Sequence, residues 1–409
     1  MFTKYHKDEQ VDDLIPRDLC DTDTYKLSMG QVVFNQFPHA IARYSYTNRA
    51  VSKVYPKGFA ERLREQFAGM KDLRFTSKMH DYFKLRCPWL KETYLQWLRG
   101  YRFDSKQIKV SQDANGQLDI EIEGPWFETI FWEVPILYIV TQLSRTDPNT
   151  GSLIPFAPEW REKIRDKAVA LDNAGVNWID FGTRRRASYS VQEAVVEDMR
   201  QHIDISGKFG FRGTSNPYLA MKFNIQAFGT FAHELPMAMQ AIYGIPMSNK
   251  MAMEHWVKEY RGDLGIALTD TLTTASFLND FDTYYAKLFD GVRQDGGDAK
   301  VIGDMVIDHY KKLRINPLEK IIVFSDSLNV EKVIMLQEYF KGRIKTTFGI
   351  GTNLTNDVGW LPSNHVIKLT EIDFGKGFIP LVKISDNKEK NVGKIEMIDF
   401  AMKSLRINA

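Results

Sequence analysis

IIVFSDSLNVEKVIMLQEYFKGRIKTTFGIGTN, residues 321–353, decides the fold. Ile321 to Phe324 is a short apolar run and Ser325 to Asn329 is polar. Val330 to Phe340 carries helical spacing, and Ile344 to Phe348 is apolar again before Gly349-Ile-Gly-Thr-Asn353. Two buried parallel strands joined by a crossover helix give this order. Working outward, similar apolar runs stand at Val176 to Phe181, Ile266 to Leu268 and Gly291 to Arg293, with helical patterns between several of them. Each ends in polar or glycine-rich residues, as chemistry-bearing loops do at the carboxyl ends of barrel strands.

Upstream the rhythm differs. An amphipathic helix over Lys91 to Gly100 precedes alternating runs at Lys106 to Val110 and Leu118 to Ile122, separated by the hairpin signal Asn115-Gly116. The expected class is α/β: an irregular α/β barrel with a smaller α+β domain. Residues 1–155 are expected to form the α+β part, 156–385 the barrel, and 386–409 a C-terminal segment that returns to the α+β part. The 409 residues carry 54 basic and 52 acidic side chains, a net charge of +2, so no global field draws in nucleic acid or an anionic membrane. The two cysteines, Cys20 and Cys87, have no metal or disulfide spacing. Met1 to Gln10 is polar and no stretch approaches the roughly 20 apolar residues of a membrane span, so a cytoplasmic location is expected.

Several strand-end loops could handle phosphate. Gly349 to Asn353 can offer unhindered backbone N–H groups, with a tight structural turn as the plain alternative. Arg184, Arg185 and Arg186 could clamp a pyrophosphate, and cations at a helix start oppose its dipole unless an anion is bound. Asp270, Asp295, Asp298 and Asp326 would suit Mg²⁺ and ribose hydroxyls, although each could equally cap a helix. His233 stands beside small residues just before a helical stretch, where an orienting Asp270 would free one ring nitrogen as a nucleophile. Tyr25 and Arg49 lie in polar N-terminal segments that read by default as surface, and His255 and Trp256 read as packing.

Together, Asp23-Thr-Tyr-Lys-Leu27, Tyr44 to Arg49, Gly182 to Arg186, Gly213 to Asn216, Gly229 to Glu234, Phe324 to Ser327 and Phe348 to Asn353 resemble the nicotinate phosphoribosyltransferase family. The resemblance implies a type II phosphoribosyltransferase architecture. It also implies a ligase-type reaction that joins nicotinate to phosphoribosyl pyrophosphate (PRPP), giving nicotinate mononucleotide and pyrophosphate for NAD salvage. ATP is the implied co-substrate, acting through a phosphohistidine at His233 with Asp270 orienting the ring, and Mg²⁺ accompanies the phosphates through unidentified ligands. Tyr25 and Phe181 would sandwich the pyridine, with Ser215 and Arg293 also on the base. Arg49, Arg184, Asp295, Asp326, Gly351 and Thr352 would hold PRPP. Tyr25 and Arg49 are expected from a neighbouring subunit, which implies a homodimer with shared sites.

Ser215 stands where the nicotinamide-using relatives carry an aspartate, and a hydroxyl can donate to a carboxylate. Nicotinate is therefore favoured over nicotinamide as the base. Two positions depart from the pattern: Gly296 replaces a usual serine, and Leu235 a common tryptophan. Gly296 is the one feature that favours a catalytically silent nucleotide-binding relative instead.

Overall fold

The computed structural model describes residues 14–50, 54–147, 150–203 and 209–406. Among the described residues twelve strands run in chain order: β1 Ile41–Asn48, β2 Ile108–Gln112, β3 Leu118–Pro125, β4 Asn177–Asp180, β5 Gly210–Thr214, β6 Gln226–Ala227, β7 Ile266–Leu268, β8 Gly291–Gln294, β9 Ile321–Phe324, β10 Lys345–Ile350, β11 His365–Asp373 and β12 Ile379–Pro380. They form two sheets.

The first sheet is antiparallel in the order β12-β11-β1-β3-β2. Leu118, Ile120 and Ile122 of β3 face inward while Asp119, Glu121 and Glu123 are exposed, the alternation of a strand with one wet face. The hairpin between β2 and β3 turns at Gly116, whose φ of 80° suits glycine.

The second sheet is parallel, in the order β6-β5-β4-β10-β9-β8-β7. Successive strands are neighbours, and β10 pairs back onto β4. The order is therefore that of a barrel opened at one junction, between β6 and β7. In the chain that junction is spanned by His233 and the helices Glu234–Tyr243 and Ser248–Tyr260. The irregular barrel beside a smaller α+β unit matches the expectation.

The expected division of the chain needs correcting at its C-terminal end. The return to the antiparallel sheet is made by β11, which pairs with β1 along its length from His365↔Asn48 to Asp373↔Ile41. The described residues 386–406 do not make that return. The helix Ile395–Ser404 instead joins a small cluster with Ile245, Leu272, Val382 and Ile384 beside the barrel. The reason is that β1 offers a long free edge to β11, whereas the last helix has only a short apolar face to bury.

One continuous apolar core runs from Ile15 to Leu381 and joins both sheets. Between them lie two helices buried on every side: Thr24–Gln36, with Thr24 through Val33 all buried, and Glu133–Leu143, buried throughout. Cys20 and Cys87 are free and buried. Among the described residues no helix is long and apolar enough to cross a membrane.

Candidate active site

A cavity of about 760 Å³ opens at the carboxyl ends of the parallel strands, against one face of the antiparallel sheet. Tyr25, Arg49, Phe181, Arg184, His233, Arg293, Asp295, Asp326, Gly351 and Thr352 all line it. Ser215 and Asp270 lie just behind its wall, buried.

His233 is the last residue before the helix Glu234–Tyr243 and is 5% exposed. Its Nε2 lies 3.2 Å from Asp295 Oδ2, and its Nδ1 lies 3.0 Å from Thr271 Oγ1. Asp270 is not its hydrogen-bond partner: Asp270 Oδ1 stands 3.8 Å from Nε2. Asp270 is instead held through Oδ2, which accepts from Ser385 Oγ at 2.8 Å and lies 3.3 Å from Lys383 Nζ. The ring is thus hydrogen-bonded by Asp295 and Thr271, while Ser385 and Lys383 hold the Asp270 carboxylate. Burial, with Lys383 beside it, pushes His233 down to about 4, so the imidazole is neutral near pH 7. Burial alone would raise Asp295, but the His233 hydrogen bond and the Arg293 and Lys390 charges outweigh it and hold the carboxyl well below its usual range.

Only two of the three adjacent arginines face the cavity. Arg186 is fully buried and grips Asp21 with both terminal nitrogens, at 2.6 and 2.7 Å. Removing one member of such a pair leaves a buried unpaired charge, at a cost of about 3–5 kcal/mol. Arg186 thus anchors the loop that presents Arg184 and Arg185. The loop is further fixed by Asp180, which accepts from the Gly182 N–H, Gln192 and Thr214. Burial, with Arg184 and Arg49 alongside, lowers Arg185 to about 10. A bound anion would relieve that crowding.

At the other end of the cavity, Phe181 is partly exposed, and its ring lies against Gly349 where no Cβ could fit: one placed there would meet the ring at 2.3 Å. Tyr25 is buried, and its hydroxyl has no hydrogen-bond partner among the described residues. Ser215 does not offer a free hydroxyl to the cavity. Its Oγ donates to Asp23 Oδ1 at 2.6 Å, because a buried carboxylate demands a donor. Burial raises Asp23 to about 6, with Arg184 Nε 3.6 Å from its other oxygen opposing the shift. Ser215 is linked to the cavity through Asp23 and Arg184.

Of the four aspartates, Asp270, Asp295 and Asp326 gather at the site, whereas Asp298 caps the helix Ala299–Lys312 by accepting from the N–H groups of Lys300 and Val301. Asp326 pairs with Lys390 at 2.5 Å. Tyr25 and Arg49, expected from a neighbouring subunit, line this cavity from the same chain as His233. His255 and Trp256 lie on the helix Ser248–Tyr260 away from the cavity, as expected.

Sequence reasoning missed Lys368, Lys383 and Lys390, all of which line the cavity. Lys368 projects from β11, and burial brings it down to about 7, with Glu133 opposing the shift. Its signal, one lysine in the largely apolar stretch His365 to Leu369, carries meaning only once β11 is known to border the site. Glu234 was also missed as a ligand: its carboxylate accepts from Lys26 at 2.5 Å, Tyr44 at 2.5 Å and Trp126 at 2.7 Å, tying the residue after His233 to the smaller unit. Gly296 now has a local reason. A Cβ there would meet Ser385 Oγ at 2.6 Å and Asp270 Oδ2 at 2.7 Å, so glycine makes room for the serine that holds Asp270. Leu235 is wholly buried.

Residues 176–406 match the nicotinate phosphoribosyltransferase (NAPRTase) family, and residues 20–141 match the N-terminal domain of that family. The nicotinate phosphoribosyltransferase of Chromohalobacter salexigens is 41% identical over 395 residues, covering 95% of this chain and 98% of that protein. The crystal structure of nicotinate phosphoribosyltransferase from Porphyromonas gingivalis superposes with a TM-score of 0.91 at 36% identity, over 96% of this chain and all of that one. That from Vibrio cholerae gives 0.86 at 34% identity, over 97% and 94%.

Proposed function

The chain belongs to the nicotinate phosphoribosyltransferase family, and from that premise we propose that its cavity joins nicotinate to PRPP, forming nicotinate mononucleotide and pyrophosphate, and that ATP drives the reaction through a phosphohistidine at His233. The observation that carries the coupling is a buried, neutral His233 facing a cavity lined by cations. Neutral imidazole has the lone pair that phosphoryl transfer requires, and Arg184, Arg185, Arg49, Lys383 and Lys390 supply charge to hold transferring phosphates.

In the phosphoribosyl step the pyridine nitrogen attacks C1 of the ribose as pyrophosphate leaves. The oxocarbenium-like transition state gains from a fixed ring and a neutralised leaving group. Tyr25 and Phe181 are suited to holding the ring, and Arg49 and Arg184 to the pyrophosphate. Among the described residues Arg293 has a buried Nε without a hydrogen-bond partner, fit for a ligand oxygen on the base or ribose. Gly351, Thr352 and Asp326 border the place for the 5′-phosphate.

Mg²⁺ fits the carboxylates of Asp270 and Asp295, which stand beside His233 in a group whose polar atoms lie within 4.8 Å of one another. Among the described residues Asp270 Oδ1 is buried without a hydrogen-bond partner, an oxygen open to a hard cation. When bound there, the ion would neutralise phosphate charge. Asp295 stands beside it with one oxygen on His233 and the other accepting from Ser325 Oγ at 3.2 Å.

Incubation with γ-labelled ATP is expected to place acid-labile, base-stable label on the protein and none on His233→Ala. Absence of label under every condition would remove the coupling while leaving the phosphoribosyl transfer standing. Nicotinate competed against nicotinamide in one assay is expected to win, and preference for the amide would overturn the choice of base.

A further inference from the structure

Arg184, assigned above to the leaving pyrophosphate, is flanked by two carboxylates. Its Nε lies 3.6 Å from Asp23 Oδ2 and its Nη1 lies 3.8 Å from Glu133 Oε1, both longer than a hydrogen bond. Each carboxylate is held more closely through its other oxygen. Asp23 Oδ1 accepts from Ser215 Oγ at 2.6 Å, and Glu133 Oε2 lies 2.7 Å from Lys26 Nζ. The guanidinium is therefore attracted from two sides without being closed upon by either, and it lines the cavity.

Lys26 follows Tyr25 on the buried helix Thr24–Gln36, and its side chain is wholly buried. It does not line the cavity. Its ammonium is shared between Glu133, at 2.7 Å, and Glu234, at 2.5 Å. Burial alone would lower Lys26, but the two carboxylates outweigh it and keep the ammonium charged. Burial alone would likewise raise Glu133, but Lys26, Lys368 and Arg184 outweigh it and hold the carboxylate ionised.

The two carboxylates depend on Lys26 to different degrees. Glu234 has neutral donors as well, because Tyr44 and Trp126 both bond its Oε1. Glu133 faces Lys26 with one oxygen and Arg184 with the other. Without the ammonium, the buried Glu133 carboxylate would need another donor, and Arg184 already stands 3.8 Å away. Guanidinium and carboxylate then close into paired N–H···O bonds. Those bonds would occupy the donors that a pyrophosphate needs.

We propose that Lys26 is a positioning residue for the leaving group: it holds the Glu133 carboxylate and so keeps Arg184 open to the pyrophosphate of PRPP. This rests on the reading of Arg184 given above. Lys26 acts from behind the cavity wall, through Glu133, without touching the substrate.

The test measures two quantities in the wild type, Lys26→Met, Glu133→Gln and the double variant: the Kd of inorganic pyrophosphate with Mg²⁺, by calorimetry, and the KM for nicotinate at saturating PRPP. Lys26→Met is expected to weaken pyrophosphate about tenfold, the loss of one charge-assisted contact, and to leave the KM for nicotinate close to that of the wild type. Glu133→Gln is expected to bind pyrophosphate as the wild type does, and the double variant to return close to it, since no carboxylate is left to close on Arg184. Wild-type pyrophosphate affinity in Lys26→Met, or a double variant as weak as Lys26→Met, would overturn the proposal. So would a parallel rise in the KM for nicotinate, because Tyr25 neighbours Lys26 and a displaced helix would disturb both ligands. Circular dichroism checks that each variant is folded. If Lys26→Met is not, Lys26→Gln removes the charge while keeping an N–H for each carboxylate, and the same results are expected of it. No pyrophosphate binding by the wild type would instead remove the reading of Arg184 itself.

Discussion

His233 and Asp295 both titrate below their ordinary values, for different reasons. Burial removes water from both, disfavouring the imidazolium and the carboxylate alike. The imidazole yields and stays neutral, while the carboxylate is held ionised by the ring N–H and by Arg293 and Lys390. An ordinary histidine titrates near 6.5. The folded His233 is expected to bind its proton only as pH falls toward about 4. Between these values the unfolded chain takes up a proton that the folded ring refuses, so this residue makes the fold less stable as pH falls from about 6.5 toward 4. NMR titration of the His233 ring is the measurement, and a midpoint near 6.5 would refute the buried, neutral imidazole. At this scale the sequence was informative about which histidine matters but not about its partner. Asp270, Thr271 and Asp295 all stand in strand-end loops, and only three-dimensional packing selects among them.

At the scale of elements, the segment running on from β12 through Leu381 to Lys390 crosses the open junction of the barrel and carries Lys383, Ser385 and Lys390 into the site. Gln240 fixes its start by bonding both the N–H and the carbonyl of Val382. The departure at Gly296 belongs to this contact: glycine there and serine at 385 fill one space. Gly296→Ser is therefore expected to displace Ser385, loosen Asp270 and lower turnover several-fold, about 1 kcal/mol of transition-state stabilisation. The double variant Gly296→Ser with Ser385→Ala is expected to recover part of that loss in kcat/KM. Additive losses in the double variant would refute the shared space. Sequence periodicity found the strands β7, β8 and β9 because each is an apolar run ended by a polar loop. It did not single out the helix Thr24–Gln36, which is buried on every side and so shows no apolar stripe.

At the scale of the whole molecule, the smaller unit lines the cavity of its own chain. Tyr25 and Glu133 come from the two helices between the sheets, Arg49 follows β1 and Lys368 lies on β11, all facing the same cavity as His233. Mixing Tyr25→Ala with His233→Ala is expected to restore no activity, since each chain keeps a broken site. Recovery of activity on mixing would mean that sites are shared between chains. The sequence by itself determined the barrel strands, the chemistry of their loops and the family, because buried parallel strands and phosphate-binding loops are written in local runs of residues. Only the tertiary structure decided that Thr271 and Asp295 rather than Asp270 bond His233, that Ser215 serves Asp23, that Arg186 is an anchor, and that Tyr25 and Arg49 line the cavity of their own chain. Those outcomes rest on which buried polar groups find each other across the fold, over separations such as the 192 residues between Asp23 and Ser215, and no local pattern encodes such pairings.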